Sequence, residues 1–165
     1  MSEAIGFVLS HLAVLLFIAA LALAFMLKRP ADPAGRLLDW LLLLSVGVET
    51  LWAGLFHIFA PEIAARSIGW SVSPFQFEVG VADTAIGIVA ILSFWRSLAF
   101  KAAVVGYISL FYAGVAIGHI HQAISAGNFA PNNFGLLLAL TIVKAALLPI
   151  LYMAVKRRQL RDRLR

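Results

Sequence analysis

The sequence contains no cysteine, and this absence excludes several kinds of function. Without a thiol the chain forms no disulfide, binds no cysteine-ligated zinc or iron–sulfur cluster and has no cysteine nucleophile. Charged residues are also scarce, at 13% of 165 residues, whereas hydrophobic residues make up 62%. A typical soluble domain is about 25% charged. The composition therefore indicates an integral membrane protein.

Acidic residues are outnumbered by basic ones, 8 against 13, which gives a formal net charge of +5. This excess does not predict a nucleic-acid partner, because the basic residues gather in the loops and the tail beside the apolar segments. That distribution is typical of a topology signal, with the lipid bilayer and its anionic headgroups as the partner.

Five apolar runs are long enough to cross a bilayer as helices. We therefore predict an all-α fold, an integral membrane helical bundle that forms a single domain over residues 1–165. The expected spans are residues 5–27, 37–60, 74–95, 98–124 and 134–155, followed by a basic tail at 156–165. We also expect a short interfacial helix at 61–68, and a capping box formed by Ser73 and Gln76 at the start of the third span.

Most of the basic residues near the spans lie on alternate loops, with one arginine, Arg66, in the loop after the second span, and this asymmetry predicts the orientation of the bundle. The others follow the first, third and fifth spans: Lys28, Arg29 and Arg36, then Arg96 and Lys101, then the tail. The loop after the fourth span carries no charge. Under the positive-inside rule, we expect the N-terminus outside the cell and the C-terminus in the cytoplasm.

Ionisable residues within the spans fall into two layers, at depths set by the helical rise of about 1.5 Å per residue. Near the midplane lie Glu49, Asp83 and Lys144. Because a single charge is costly there, we expect Lys144 to pair with Asp83 or Glu49. The group is then either a neutralised structural ion pair or the proton relay of a small proton-coupled transporter. Such a transporter would have to form a homo-oligomer to enclose a path.

The outer layer contains His57, Glu78 and His119, each on a different span. Two imidazoles and a carboxylate at one depth are suitable ligands for a divalent transition metal such as zinc, iron or copper. We therefore predict an outward-facing metal site at these three residues, with Glu49 and Asp83 as further ligands or as residues that orient the ligands.

Two other histidines, His11 and His121, are additional candidates for the metal site. His119 and His121 lie about 200° apart around a helix, so only one of them is expected to face the site, and we favour His119. Haem is not expected: His57 and His119 have suitable depth for axial ligands, but nothing else in the sequence favours it.

Three stretches, residues 52–57 (WAGLFH), 75–80 (FQFEVG) and 118–120 (GHI), resemble an uncharacterised family of small prokaryotic multi-pass membrane proteins. The resemblance covers roughly the last four spans and implies a bacterial or archaeal inner-membrane protein, without an assigned activity. Three functions stay open: metal binding, proton-coupled transport, and a structural or accessory subunit without a ligand. No motif identifies a reaction, so the sequence does not decide whether the protein is an enzyme.

Overall fold

The regular structure of this chain is helical throughout the ranges that the computed structural model describes, residues 2–27 and 32–165. The all-α prediction is confirmed. Two residues of the predicted first basic loop, Lys28 and Arg29, lie outside the described residues. The helices are α1 Ser2–Met26, α2 Pro33–Phe59, α3 Pro61–Ile68, α4 Pro74–Ser93, α5 Leu98–Ala126 and α6 Leu136–Arg163.

Four helices, α2, α4, α5 and α6, are long and apolar enough to cross a membrane. Within α1, the apolar stretch His11–Met26 is shorter. The bundle thus has four to five apolar helices compatible with a bilayer, while the first predicted span, residues 5–27, and the orientation stay predictions. The short helix α3 has the predicted bounds, and α6 continues through most of the predicted basic tail.

The ends of the helices gather in two groups. At one end, which we call the basic end, the start of α2 meets the end of α1, where Arg36 Nε donates to Ala24 O at 3.2 Å. The α4–α5 turn and the end of α6 lie at the same end. At the other end, the α3 end, Asn128 from the α5–α6 loop donates a hydrogen bond of 2.9 Å to Ile68 O of α3.

Most of the buried large aliphatic side chains among the described residues lie in the half of the bundle next to the basic end. The hydrophobic core there takes side chains from α1, α2, α4, α5 and α6, including Leu38, Leu41, Leu42, Val46, Ile108 and Leu148. Toward the α3 end the buried residues are mostly small or polar, including Thr50, Gly54, Gly80, Ala116, Ala123 and Thr141. The apolar interior that stabilises the fold is therefore concentrated in one half.

Helix α2 is the central helix, and it packs most closely against α4. The two backbones approach at Gly54 and Gly80, where a Cβ on Gly54 would lie 2.7 Å from Gly80 O and a Cβ on Gly80 would lie 3.0 Å from Gly54 O. Only residues without a side chain allow this distance between helices. Gly80 and Gly87, which lie on either side of Asp83 along α4, both pack against α2.

The predicted capping box at the start of α4 is wrong. Ser73 is the N-cap residue, but its side chain accepts no hydrogen bond from the helix. The Gln76 side chain does not return to Ser73; its Nε2 donates to Pro61 O at 2.6 Å. Gln76 thus fixes the beginning of α4 against the beginning of α3, because a buried amide N–H needs an acceptor.

Candidate functional site

A lysine and a glutamate form an ion pair inside the bundle, between α6 and α2. Lys144 Nζ lies 2.6 Å from Glu49 Oε1, and the Lys144 side chain is only 1% exposed. By helical rise, Lys144 is about 12 Å from the start of α6 and Glu49 about 15 Å from the end of α2. The pair therefore lies near the middle of α2 and near the middle of the apolar part of α6, residues 136–155. Of the two partners predicted for Lys144, the structure selects Glu49.

A π-helical segment in α2, Leu41–Val48, prepares the site for the lysine. The Glu49 N–H donates to Leu44 O, five residues back, instead of to Ser45 O, four residues back. Ser45 O accepts a hydrogen bond of 3.1 Å from Lys144 Nζ. The wider turn thus presents a backbone carbonyl and the Glu49 carboxylate to the same ammonium, and such segments are frequent at functional sites.

An aromatic ring from α5 completes the surroundings of the ammonium. Lys144 Nζ lies 4.8 Å from the centroid of the Tyr112 ring, within the range of a cation–π interaction. The Tyr112 hydroxyl lies 3.3 Å from Thr50 Oγ1 of α2. Neither Thr50 nor Tyr112 was predicted to belong to the site. Both side chains cross the space between α2 and α5, which the helix backbones leave open.

A second carboxylate, Asp83 on α4, belongs to the same region. Asp83 is buried and lies close enough to Glu49 for the two charges to interact. It also interacts electrostatically with Tyr112. The structure therefore brings the three predicted midplane residues, Glu49, Asp83 and Lys144, into one electrostatic cluster. Its carboxylates come from the two helices that the glycine contact holds together, and its lysine comes from α6.

One buried oxygen of this cluster forms no hydrogen bond with the described residues. Glu49 Oε1 accepts from Lys144, whereas Glu49 Oε2 is buried and has no hydrogen-bond partner in the described ranges, although the buried Ser45 hydroxyl interacts with the same carboxylate. A buried carboxylate oxygen is stabilised by a donor, so a single unpaired one marks a position where a proton or a ligand group can bind.

The predicted metal site is not supported. Among the residues with described positions, no group of three or more histidine, aspartate or glutamate side chains could hold a metal ion. His57 packs beside Gly80, and Glu78 is exposed on α4. His119 instead faces the α5–α6 loop. The three residues have matching depths, but close packing of α2 on α4 turns them toward different surroundings.

His119 belongs to a hydrogen-bond network at the α3 end. Its Nδ1 lies 2.6 Å from Asn133 Oδ1, and its ring stacks on Trp70 at 6.0 Å between centroids. The Asn133 amide nitrogen donates to Asn128 O at 2.7 Å and to His119 O at 3.3 Å, so Asn133 Oδ1 is the acceptor and His119 Nδ1 carries the hydrogen. This network connects α5 and its following loop to the segment after α3. His119 therefore has a structural role that the sequence did not reveal.

The two additional histidines lie apart from the cluster. His121 is exposed on α5, and its Nδ1 lies 3.4 Å from Ser125 Oγ. His11 is half-buried in α1 and has an interaction of its own. His119 is partly buried and His121 exposed, and neither belongs to a group of three candidate metal ligands among the described residues.

These observations define the class: a helical protein with the apolar helices of a membrane protein and a lysine–carboxylate cluster buried midway along its bundle. The chain belongs to the family of unknown function DUF6790, whose model matches residues 5–161. The resemblance to an uncharacterised family is thereby confirmed, while the prokaryotic origin that it implied stays a prediction. Comparison with curated proteins and with solved structures finds no match to the chain.

Proposed function

We propose that this protein is a small proton-coupled membrane transporter in which Glu49, Asp83 and Lys144 exchange protons. The observation that carries the proposal is the 2.6 Å ion pair of Lys144 and Glu49 in the middle of the bundle, with Asp83 in electrostatic range. Ionisable residues at such depth are expensive to bury, and in membrane proteins they mark proton relays and substrate pathways.

The charges of the cluster favour proton exchange over a purely structural pair. A structural ion pair needs one carboxylate and one ammonium, whereas this cluster contains two carboxylates and one ammonium. When all three are ionised, one negative charge is left over, and a proton would neutralise it. The unpaired Glu49 Oε2 offers an acceptor for that proton.

Packing suggests the end from which protons and solute enter. Between the cluster and the basic end lies the aliphatic core, which excludes water. Between the cluster and the α3 end the buried side chains of the described ranges are mostly small or polar, and α2 is joined to α5 and α6 through Thr50, Tyr112 and Lys144. A path from the α3 end would therefore need only side-chain movement, whereas a path from the basic end would require the core to open.

Solid-supported membrane electrophysiology with pH jumps tests the proposal, because proton binding and movement inside the protein produce transient currents. The wild type in proteoliposomes should give a pH-dependent current. Glu49→Gln and Asp83→Asn should each reduce it severalfold, since each removes one titratable group. Glu78→Gln is the matched control: it removes an exposed carboxylate of α4 and should leave the current unchanged.

Two results would contradict the transporter. A wild-type current no larger than that of empty liposomes would show that the cluster does not move protons. Equal currents in wild type, Glu49→Gln and Asp83→Asn would assign the cluster to structure, in agreement with an accessory subunit. If the current is confirmed, the same assay with candidate solutes on one side identifies the coupled substrate by an increased charge transfer.

We further propose that the protein lies in the cell inner membrane with the basic end in the cytoplasm, as the loop charges predict. Reporter fusions after Arg165 and Arg96 should give cytoplasmic signals, and fusions at Arg66 and Asn128 external ones. A cytoplasmic signal at Asn128 would contradict both the orientation and the five-span arrangement.

A further inference from the structure

A cleft of about 700 Å³ opens at the basic end, far from the buried cluster. Three segments form it: the beginning of α2, the α4–α5 turn with the beginning of α5, and the end of α6. Its volume lies within the range of small-molecule binding sites. The polar side chains that line it are Asp32, Asp39, Arg96, Lys101, Arg158, Gln159 and Asp162.

Two of the carboxylates in the cleft are already engaged. Asp39 forms an ion pair with Lys101. Asp32 caps α2, because its Oδ1 accepts from Ala34 N at 2.9 Å and from Gly35 N at 3.1 Å. By contrast, Arg96 and Arg158 are exposed, and neither guanidinium forms an ion pair with a residue in the described ranges. The cleft therefore contains two arginines that can bind an anion.

The backbone adds to this preference for an anion. The cleft lies at the N-terminal ends of two long helices, with Pro33 and Gly35 from α2 and Leu98 from α5 in its lining. Helix N-termini carry partial positive charge, and the effect is strongest in the first turn. Two guanidinium groups, one from the α4–α5 turn and one from the end of α6, suit phosphate, since each can form a pair of parallel hydrogen bonds with its oxygens.

The position of the cleft favours a lipid as the source of the phosphate. The cleft lies at the end of the apolar helices, where the headgroups of a surrounding bilayer would lie, and the neighbouring Trp95 is exposed, as aromatic residues at that level are. Apolar side chains, including Leu38, Leu98 and Val155, line part of the cleft and can contact the lipid backbone. The remaining carboxylate, Asp162, can accept a hydrogen bond from an ammonium group.

We propose that this cleft binds a zwitterionic lipid headgroup of the phosphoethanolamine type, with its phosphate held by Arg96 and Arg158 and its ammonium facing Asp162. The inference does not rest on the transport function, because the cleft and the buried cluster share no residue. Binding there would anchor the α4–α5 turn and the end of α6 to the same lipid molecule.

Native mass spectrometry of the full chain, titrated with phosphatidylethanolamine in detergent, tests this site. The wild type should retain one lipid molecule more tightly than the rest, and Arg96→Gln combined with Arg158→Gln should weaken that binding by about tenfold. Arg161→Gln combined with Arg163→Gln is the matched control. It removes the same charge from the last turn of α6 outside the cleft, and it should leave the tight site intact.

Four outcomes would overturn the proposal. Equal weakening in both double variants would show that only net charge matters, and unchanged binding in Arg96→Gln/Arg158→Gln would exclude the cleft. Displacement of the lipid by inorganic phosphate at similar concentration would assign the site to soluble phosphate compounds. Phosphatidylglycerol binding as tightly as phosphatidylethanolamine would remove the role of Asp162. Arg96→Lys/Arg158→Lys keeps the charges and controls for misfolding. It should lose less lipid affinity than Arg96→Gln/Arg158→Gln.

Discussion

The two lysine–carboxylate pairs of this protein have the same chemistry and different surroundings. Lys101 and Asp39 join α5 to α2 at the basic end, beside a cleft, whereas Lys144 and Glu49 join α6 to α2 in the middle of the bundle. The Lys101 side chain is 11% exposed and the Lys144 side chain 1%. The two carboxylate side chains, Asp39 and Glu49, are each 13% exposed, so the difference lies in the ammonium groups. Water can solvate Lys101 if the end pair opens, while the Lys144 ammonium depends on protein groups.

This difference explains why the buried pair has so many additional partners. Desolvating an ammonium costs several kcal/mol, and a single carboxylate rarely compensates for that loss. Lys144 accordingly also bonds to the Ser45 carbonyl and lies over the Tyr112 ring. The comparison indicates that α2, with its π-helical turn and its close glycine contact, is built to hold this one ammonium.

The largest expected effect is on the free energy of unfolding, when the buried Lys144 is replaced instead of Lys101 at the basic end. Lys144→Met should lower the free energy of unfolding by about 3–5 kcal/mol, because it leaves Glu49 as an unpaired buried charge. Lys101→Met should cost less, on the order of 1–2 kcal/mol, since water can reach Asp39 through the cleft. Unfolding by SDS in mixed micelles measures both. Equal losses would show that burial does not distinguish the two pairs.

A second comparison separates the attraction within each pair from the cost of leaving one charge unpaired. Glu49→Gln combined with Lys144→Met should be less destabilising than Lys144→Met alone, with a coupling energy of about 2–3 kcal/mol. The same cycle with Asp39→Asn and Lys101→Met should give a smaller coupling, about 1 kcal/mol or less. If the effects of Glu49→Gln and Lys144→Met are additive, the buried ion pair does not contribute to stability.

The depth of the buried site could be predicted from the sequence, and its contacts only in part. Depth follows from the helical rise per residue, which is why Glu49, Asp83 and Lys144 were placed in one layer. The direction in which each side chain points depends on how the helices pack, and this is where the metal prediction failed. His57 and Glu78 share a depth, but the contact of Gly54 with Gly80 fixes His57 at the α2–α4 interface and leaves Glu78 outside.

Some features left little signal in the sequence. The π-helical segment Leu41–Val48 consists of aliphatic and small residues that an α-helix would accept equally, so its wider turn comes from tertiary contacts with Lys144 and α4. The hydrogen-bond partner of His119 is Asn133, which lies in a loop. The loop sequence has no periodic hydrophobic pattern from which the direction of a side chain could be predicted. That loop contains three asparagines, and two of them, Asn128 and Asn133, turned out to tie it to the α3 end.

The close contact that positions Glu49 can be tested by adding one methyl group. Gly54→Ala should destabilise the protein by about 1–3 kcal/mol, because the new Cβ would overlap Gly80 O and Thr84 on α4. Gly114→Ala on α5 is the control: no described atom lies within 4 Å of the new Cβ, so the change should be neutral or slightly stabilising. A neutral Gly54→Ala would mean that α2 and α4 can separate without loss. A destabilising Gly114→Ala would point instead to a second chain packed against that face.

The smallest expected effect concerns the ring over the buried ammonium. Tyr112→Phe keeps the aromatic face near Lys144 and removes the hydroxyl that lies 3.3 Å from Thr50, so the free energy of unfolding should fall by about 0.5–1.5 kcal/mol. Tyr112→Leu removes the ring as well and should cost about 0.5–2 kcal/mol more through the lost cation–π interaction. Tyr107→Phe on the same helix is the control, because Tyr107 is exposed. If Tyr112→Leu and Tyr112→Phe are equally stable, the ring does not stabilise the ammonium, and Glu49 and Ser45 alone stabilise the buried Lys144.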